Sequence, residues 1–179
     1  MIIDVSSEQL QRANNALRGF PGAFPRALAS ATNRAIEGVR TDAASETKKR
    51  YHVKSGDVRK TIQLRKASVG NLEGTMTSKG PRRSLADYKL TGGSGNLQGA
   101  VKTDGMKTLK DAFLVRRGGK ARPYVRDGSG KWGIKPLISP SIPQIVKNEE
   151  TVEAMEKGAA QRFRKTLDHD ILRLMGVFQ

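Results

Sequence analysis

The fold of this chain is decided by residues 24–68, which read FPRALASATNRAIEGVRTDAASETKKRYHVKSGDVRKTIQLRKAS. Apolar or small residues recur in its first part at steps of three and four, namely Leu28, Ala31, Ala35, Val39 and Ala43. This spacing keeps one apolar stripe on one face of an α-helix. Because Pro25 suits a first turn, the pattern predicts a helix from about Pro25 to Tyr51, roughly 40 Å long. Gly38 lies inside it at a cost of about 1 kcal/mol relative to alanine.

Basic residues follow this helix and continue into a predicted strand. The segment 48–66 contains eight of them, with only Asp57 as an acidic neighbour: Lys48, Lys49, Arg50, Lys54, Arg59, Lys60, Arg65 and Lys66. We interpret the segment as a basic connection that gives the helix a cationic tip. Such a tip is suited to contact a partner, which is either nucleic acid or protein.

The composition limits the class of protein and of partner. A chain of 179 residues corresponds to about one domain with a modest core. Its formal net charge of +16 favours anionic partners. Only 36% of the residues are hydrophobic and 5% aromatic, so we expect apolar surface to be buried against neighbouring subunits. The absence of cysteine excludes disulfides, thiolate metal sites and a cysteine nucleophile.

Targeting signals are also absent from the sequence. The first six residues lack the basic and apolar regions of a signal peptide. No apolar run approaches the roughly 20 residues that a membrane span needs. We therefore expect a soluble protein that is made inside the cell and does not contact a membrane.

The two ends of the chain have helical patterns. Ser6 and Gln9 have capping-box spacing before a short helix, which ends at residues 19–22. Near the other end, Ser141 and Gln144 repeat that spacing, and Pro143 suits a first turn. An apolar stripe then follows at steps of three and four: Val152, Met155, Ala159, Phe163, Leu167, Ile171, Leu174 and Phe178. This pattern predicts one helix from about Ile142 to Gly176.

The middle of the chain alternates apolar and polar residues, as half-buried strands do. We predict strands within 61–65, 72–77, 100–103, 112–116, 123–126 and 133–137. Residues 84–90 fit either a short helix or a strand, and residues 91–99 are interpreted as a flexible loop. Gly118-Gly119 separates two of these strands, and the pairs Asp104-Gly105 and Asp127-Gly128 favour hairpin turns, because glycine adopts positive φ without steric cost.

These elements together predict an α+β fold in a single domain. A long N-terminal helix and a long C-terminal helix pack on a small, mostly antiparallel β-sheet. The N-terminal helices occupy residues 1–53, the β-rich middle 58–138, and the C-terminal helix 141–177. We expect the Val152–Phe178 stripe to pack on Leu28, Ala31, Ala35 and Val39. Eight residues are assigned to subunit packing: Leu28, Ala35, Val39, Val152, Met155, Phe163, Leu167 and Ile171.

Residues with catalytic chemistry are few. His52 and His169 belong to different helices, and neither has a partner at metal-ligand spacing. The aspartates that flank His169 project away from its ring, because neighbours in a helix point in different directions. The glycines at 92–95 lack the lysine that follows a phosphate-binding loop. We therefore predict no catalytic, metal or cofactor site, and a protein that is not an enzyme.

The basic residues are the remaining candidates for function. A second set falls in the predicted hairpin: Arg116, Arg117, Arg122 and Arg126. Both sets are suited to contact either a duplex backbone or an acidic protein surface, and a plainly solvated face is the third reading. Stacking aromatics are scattered at Tyr51, Tyr88, Tyr124 and Trp132. Base-specific or single-strand recognition is therefore poorly supported.

Several blocks in a fixed order resemble the minor tail protein Z family of tailed bacteriophages and prophages, the tail completion proteins. The resemblance covers most of the chain. It departs from the family pattern at residues 92–99 and fits loosely at 88–90. The blocks are Phe24-Pro25, Ala27-Leu28, Asn33-Arg34-Ala35, Arg40-Thr41, residues 51–54, Val58-Arg59, residues 65–68, Asp111-Ala112-Phe113, Tyr124-Val125-Arg126 and residues 136–144.

The resemblance implies a structural role without an active site or cofactor. Such proteins act late in tail assembly, at the head-proximal end, and help the tail to join the head. Implied partners are tail-tube, terminator or connector subunits, with non-specific contact to phage genomic DNA. The cyclic symmetry of tails implies a homo-oligomeric ring, for which we expect six copies. The alternative is an architectural protein that binds duplex DNA without sequence preference.

Overall fold

A computed structural model describes residues 7–20, 22–93, 95–128 and 133–176. The side chains of Gln9 and Arg117 are outside this description, as are Ser6, Trp132, residue 177 and Phe178. The predicted contributions of these residues therefore lie outside the described part. Five α-helices are present within it: α1 (Ser7–Ala16), α2 (Ala23–Arg50), α3 (Ser55–Thr61), α4 (Ile142–Val146) and α5 (Glu149–Leu174). The helices combine with small antiparallel sheets, which confirms the α+β class.

The long helices α2 and α5 form the centre of the fold. Ala31, Ala35, Val39 and Ala43 are fully buried, as the helical spacing predicts. The facing stripe of α5 buries Met155, Ala159, Phe163 and Leu167. Leu28, Val152, Ile171 and Leu174 are partly buried at the margin of the same core. Burial of each large side chain contributes about 1.5–3 kcal/mol, so this helix pair dominates the packing.

The eight residues assigned to subunit packing all take part in this core. Leu28, Ala35, Val39, Val152, Met155, Phe163, Leu167 and Ile171 all belong to the core of the single chain or pack against it. They are covered because α2 and α5 bury their apolar stripes against each other.

The boundaries of α2 agree closely with the prediction. Gly22 precedes the helix with φ 74°, a conformation that glycine adopts most readily. At the other end Tyr51 is extended, and the segment 101–103 receives the helix terminus. The Thr103 hydroxyl donates to the carbonyls of Lys49 and Arg50, at 3.1 and 3.3 Å. These bonds satisfy carbonyls that a helix end leaves without partners.

The connection after α2 differs from the prediction. Residues 55–61 form helix α3 rather than an irregular link. The strands β1 (Ile62–Arg65) and β2 (Thr75–Ser78) follow as an antiparallel hairpin, with Ile62 opposite Ser78 and Arg65 opposite Thr75. The sequence does not reveal α3 because it is seven residues long and buries only Val58, which leaves no periodic stripe.

The β-rich middle consists of four small antiparallel sheets rather than one. The first is the β1–β2 hairpin. Another pairs β10 (Ile138–Ser139) with β3 (Arg83–Ser84). The remaining two have three strands each: β4 (Lys89–Thr91), β5 (Gln98–Ala100) and β6 (Lys107–Thr108), then β7 (Ala112–Arg117), β8 (Lys120–Arg126) and β9 (Ile134–Pro136).

Two ambiguous regions of the middle are now defined. Residues 84–90 include a short 3₁₀ helix, Leu85–Asp87, between β3 and β4, so both readings hold in part. The segment 91–99 is more ordered than predicted, because Thr91 pairs with Gln98 and Leu90 with Gly99. Leu97 is only 1% exposed, so part of this segment belongs to the protein interior.

The C-terminal helix is broken, where the sequence predicts one continuous helix. The Ser141–Gln144 capping box is confirmed in α4 and includes both of its reciprocal bonds. Lys147 and Asn148 then interrupt the helix, because Asn148 takes an extended ψ of 135°. Glu149 and Glu150 follow in the first turn of α5, where acidic side chains favour a helix start. The interruption separates the buried Ile145 and Val146 from the α5 stripe.

Candidate functional site

The basic residues at the end of α2 are largely paired. Lys49 Nζ lies 2.6 Å from Glu46 Oε1, and Arg50 Nη1 lies 3.1 Å from Glu46 Oε2. The hydrogen bond from Lys49 lowers the pKa of Glu46 despite the opposing effect of burial. Arg50 Nε also lies 2.6 Å from Glu150 Oε2, which joins the end of α2 to the start of α5. Lys49 and Arg50 therefore serve the fold, whereas Lys48 is exposed.

The rest of this basic set does not form a tip, which corrects the predicted arrangement. The chain turns back after α3, so that β1 lies beside the middle of α2. Lys66 Nζ lies 2.6 Å from Glu37 Oε1 and lowers the pKa of that carboxyl through their hydrogen bond. Arg40 donates to the Arg59 carbonyl at 3.3 Å. The cations are thus distributed along the flank of α2.

One side chain holds this returning segment against α2. The Asn33 amide nitrogen donates to the Ala67 carbonyl at 3.0 Å, and the Ala67 N–H donates to Asn33 Oδ1 at 2.7 Å. Asn33 therefore satisfies both backbone groups of a residue that is only 7% exposed. This pair of hydrogen bonds fixes the position of the β1–β2 hairpin along the helix.

Four cations along this flank remain available to a partner. They are exposed, and no side-chain bond or ion pair engages them within the described part of the chain: Lys54, Arg59, Lys60 and Arg65. Lys54 precedes α3, Arg59 and Lys60 lie in its last turn, and Arg65 ends β1. Exposed cations without partners are the groups that a phosphate backbone or an acidic surface can neutralise.

The second predicted set is divided between two faces of the β7–β8 hairpin. Arg122 lies opposite Val115, and Arg116 lies opposite Ala121, so these two arginines project to opposite faces. Arg126 shares the face of Arg122, and its guanidinium lies 5.8 Å from the centre of the Phe113 ring. Arg117 is paired with Lys120 in the backbone register. Arg116, Arg122 and Arg126 therefore do not form one basic patch.

A cationic groove between α2 and α5 was missed by sequence reasoning. It has a volume of about 1010 Å³, and its lining includes Arg34, Arg162, Lys165 and His169. A neighbouring cleft of about 720 Å³ is lined by Arg40, Arg59 and Lys66. The available signal was the helical spacing of Arg162, Lys165 and His169, which places these residues on one face of α5. Arg34 lies beside that face only because α2 and α5, which are far apart in sequence, pack in this register.

The histidines do not assemble a reactive cluster with neighbours. His169 Nδ1 lies 3.6 Å from Asp170 Oδ1, closer than the sequence argument predicts but beyond hydrogen-bond distance. His52 is half-buried, and its backbone N–H donates to the Val101 carbonyl at 2.9 Å. Within the described ranges no group of three His, Cys, Asp or Glu residues is arranged to hold a metal ion.

Among the helices of the described residues, none is both long and apolar enough to cross a lipid bilayer. Comparisons of the chain with models of known protein families, with curated proteins and with solved structures found no match.

Proposed function

We propose that the chain is a structural virion protein of a phage tail. In this role it acts in tail completion at the head-proximal end and in head–tail joining, after synthesis in the host cytoplasm. The observation that carries the proposal is the bonding of Asn33 to Ala67. These residues come from two separate blocks of the resemblance, and their contact gives the order of these blocks a structural reason in this chain.

A second pair of contacts supports the same reading. The Tyr88 hydroxyl donates to the Pro140 carbonyl at 2.6 Å, and Ser141 with Gln144 caps α4. Pro140, Ser141 and Gln144 belong to one of the two most distinctive blocks of the resemblance. Residues of these blocks thus hold distant parts of the chain together, which suits a subunit whose function is its shape.

The charge distribution fits partners that are expected near a tail channel. Lys54, Arg59, Lys60 and Arg65 are exposed along one flank, and Arg34 and Lys165 line the adjoining groove. In the proposed role these cations contact acidic tail-tube, terminator or connector subunits, and the genomic DNA without sequence preference. A ring of copies, for which we expect six, provides the symmetry of the tail.

Deletion of the gene from its phage or prophage tests this proposal. We expect lysates with filled heads and separate tails, and restoration of joined particles when the chain is supplied from a plasmid. The Asn33→Ala variant should complement poorly, whereas Ser30→Ala, an exposed change on the same helix, should complement fully. Normal virions after deletion would contradict the proposal.

An architectural duplex-DNA-binding protein is the second candidate. The exposed cations without partners at Lys54, Arg59, Lys60 and Arg65 favour it. Tight binding of the purified protein to duplex DNA at moderate salt, with a steep salt dependence and no requirement for tail proteins, would support this function over the tail role.

A further inference from the structure

An exposed apolar turn protrudes between β1 and β2. Val69 is 54% exposed and Leu72 is 40% exposed, although both are large apolar side chains. We call residues 68–73 the knob. Its turn is closed by two backbone hydrogen bonds between Ser68 and Asn71, at 2.7 and 3.1 Å. Burial of these side chains against a partner would release apolar surface from water.

The knob is held in a fixed position. Ala67, which immediately precedes it, makes both of its backbone hydrogen bonds to Asn33 of α2. Asn71 Oδ1 also accepts a hydrogen bond from the N–H of Glu73 at 3.1 Å. The exposure of Val69 and Leu72 is therefore a property of an anchored turn, and little ordering is required before it binds.

A concave apolar surface lies near the other end of α2. This cleft has a volume of about 570 Å³, and its apolar lining is Tyr51, Val101, Ile138, Pro140 and Ile145. Ile138 is 57% exposed, the largest exposure among the large hydrophobic residues described. Ile138 belongs to β10, which pairs only with β3 among the described strands, so an open strand edge lies beside the cleft.

The charges of the two surfaces are complementary. Glu73 provides the carboxylate of the knob, and Arg82 and Lys102 line the cleft. All three side chains are exposed, and none has an ion pair within the described part of the chain. In a chain of net charge +16, this carboxylate beside an apolar protrusion is suited to a basic apolar cleft.

We propose that the knob of one copy binds the cleft of a second copy of this chain. The two surfaces of one chain cannot meet, because Ala67 is fixed at Asn33 while the cleft includes Tyr51, about 27 Å further along the helix direction. Such a head-to-tail contact is heterologous and closes a ring when its rotation allows. In the proposed function, this contact joins neighbouring subunits of the ring. The inference rests on that function only for its biological setting.

Disulfide trapping tests this contact directly, because the natural chain contains no cysteine. The doubly substituted chain Leu72→Cys/Ile138→Cys should form a ladder of linked species under mild oxidation. The matched control Leu72→Cys/Leu172→Cys places its second thiol at a similarly exposed apolar residue of α5, and should form at least about tenfold less linked product. No ladder, or equal linking in the control, overturns the proposal.

Mixing of variants tests the head-to-tail geometry. Leu72→Asp removes the knob and Ile138→Asp removes the cleft; each should weaken self-association at least about thirtyfold in sedimentation experiments. In an equimolar mixture, the intact knob of Ile138→Asp can bind the intact cleft of Leu72→Asp. The other two surfaces are disrupted, so the mixture should form dimers and nothing larger. Wild-type association in either variant, a monomeric mixture, or a monomeric wild type at all concentrations overturns the proposal. Unchanged melting temperatures establish that the variants fold.

These results are separable from the test of the proposed function. If disulfide-linked oligomers form but do not bind tails, the tail role is excluded and the contact between copies stands. Complementation by both Leu72→Asp and Ile138→Asp variants, with no linking, would remove the contact and leave the tail role.

Discussion

Arg162 of α5 forms a bidentate ion pair with Asp42 of α2. Nη1 lies 2.6 Å from Asp42 Oδ2, and Nη2 lies 2.7 Å from Asp42 Oδ1. The hydrogen bond to Asp42 raises the pKa of Arg162 above its usual value. Gly38 and Gly158 leave the space for this pair: a Cβ at Gly38 would lie 2.5 Å from the Arg162 side chain, and one at Gly158 would lie 2.5 Å from Asp42 Oδ2.

Gly38→Ala should therefore destabilise the protein, although alanine is the better helix former. We expect a loss of about 1–2 kcal/mol in the free energy of unfolding, because the new methyl group displaces Arg162. In an Arg162→Ala background the same change should stabilise the protein by about 1 kcal/mol, since only the helix propensity remains. Urea unfolding of the four chains measures this difference.

Gly56→Ala is the matched control for that cycle. A Cβ at Gly56 in α3 meets no atom within 4 Å, so this change should be neutral or stabilising in both backgrounds. An equal stabilisation by Gly38→Ala with and without Arg162 would show that the glycine does not serve the ion pair.

Asn33→Ala should cost about 1–3 kcal/mol in the free energy of unfolding. The change leaves the buried backbone groups of Ala67 without the two bonds that Asn33 supplies. Asn33→Asp should also be destabilising, because a carboxylate cannot donate to the Ala67 carbonyl. Hydrogen exchange should become faster in the β1–β2 hairpin, while Ser30→Ala leaves it unchanged. Equal protection of the hairpin in all variants would contradict this role.

Alkaline pH should remove the contribution of Tyr88 to stability. Burial raises the pKa of Tyr88 from 10.0 to about 12. The folded state thus favours the protonated phenol, so its contribution is complete below pH 10 and is lost as the pH rises to about 12. At pH 8 Tyr88→Phe should lose about 1 kcal/mol with the bond to Pro140, and this advantage of wild type should shrink as the pH rises above 10 and be lost before about pH 12. Tyr124→Phe controls for general alkaline effects. A difference that stays constant across this range would exclude titration of Tyr88.

Exposed and paired cations should contribute unequally to any polyanion binding. Arg59→Gln and Arg65→Gln should each reduce the slope of log K against log salt by about 0.9 if the residue contacts a duplex phosphate. Lys49→Gln and Lys66→Gln should change the slope less, because Glu46 and Glu37 already neutralise these lysines. Fluorescence anisotropy with duplex DNA at several salt concentrations measures the slopes. Equal effects of all four changes would mean that binding depends on the total charge of the protein and not on contacts of particular residues with phosphate.

The periodic parts of the fold were predictable from the sequence. The stripes of α2 and α5 and the Ser141–Gln144 cap depend on residues close in sequence, and all are confirmed. The break at Lys147–Asn148 was hidden because the apolar stripe of α5 begins only at Val152. Helix α3 was hidden because a short helix with one buried residue has no detectable period.

The arrangement of the candidate surfaces was less predictable, since it depends on long-range contacts. Arg59 to Lys66 resembled a tip in the sequence, but the Asn33–Ala67 bonds return this segment to the middle of α2. The groove containing Arg34 and Lys165 requires the register between α2 and α5, which no local pattern specifies.

Cryo-electron microscopy of tail tubes incubated with the purified protein tests the central claim most directly. The account predicts a ring of added density at the head-proximal end alone, into which the α2–α5 pair of each copy fits. Density along the whole tube, or bare tube ends together with tight binding of the protein to naked duplex DNA, would contradict it.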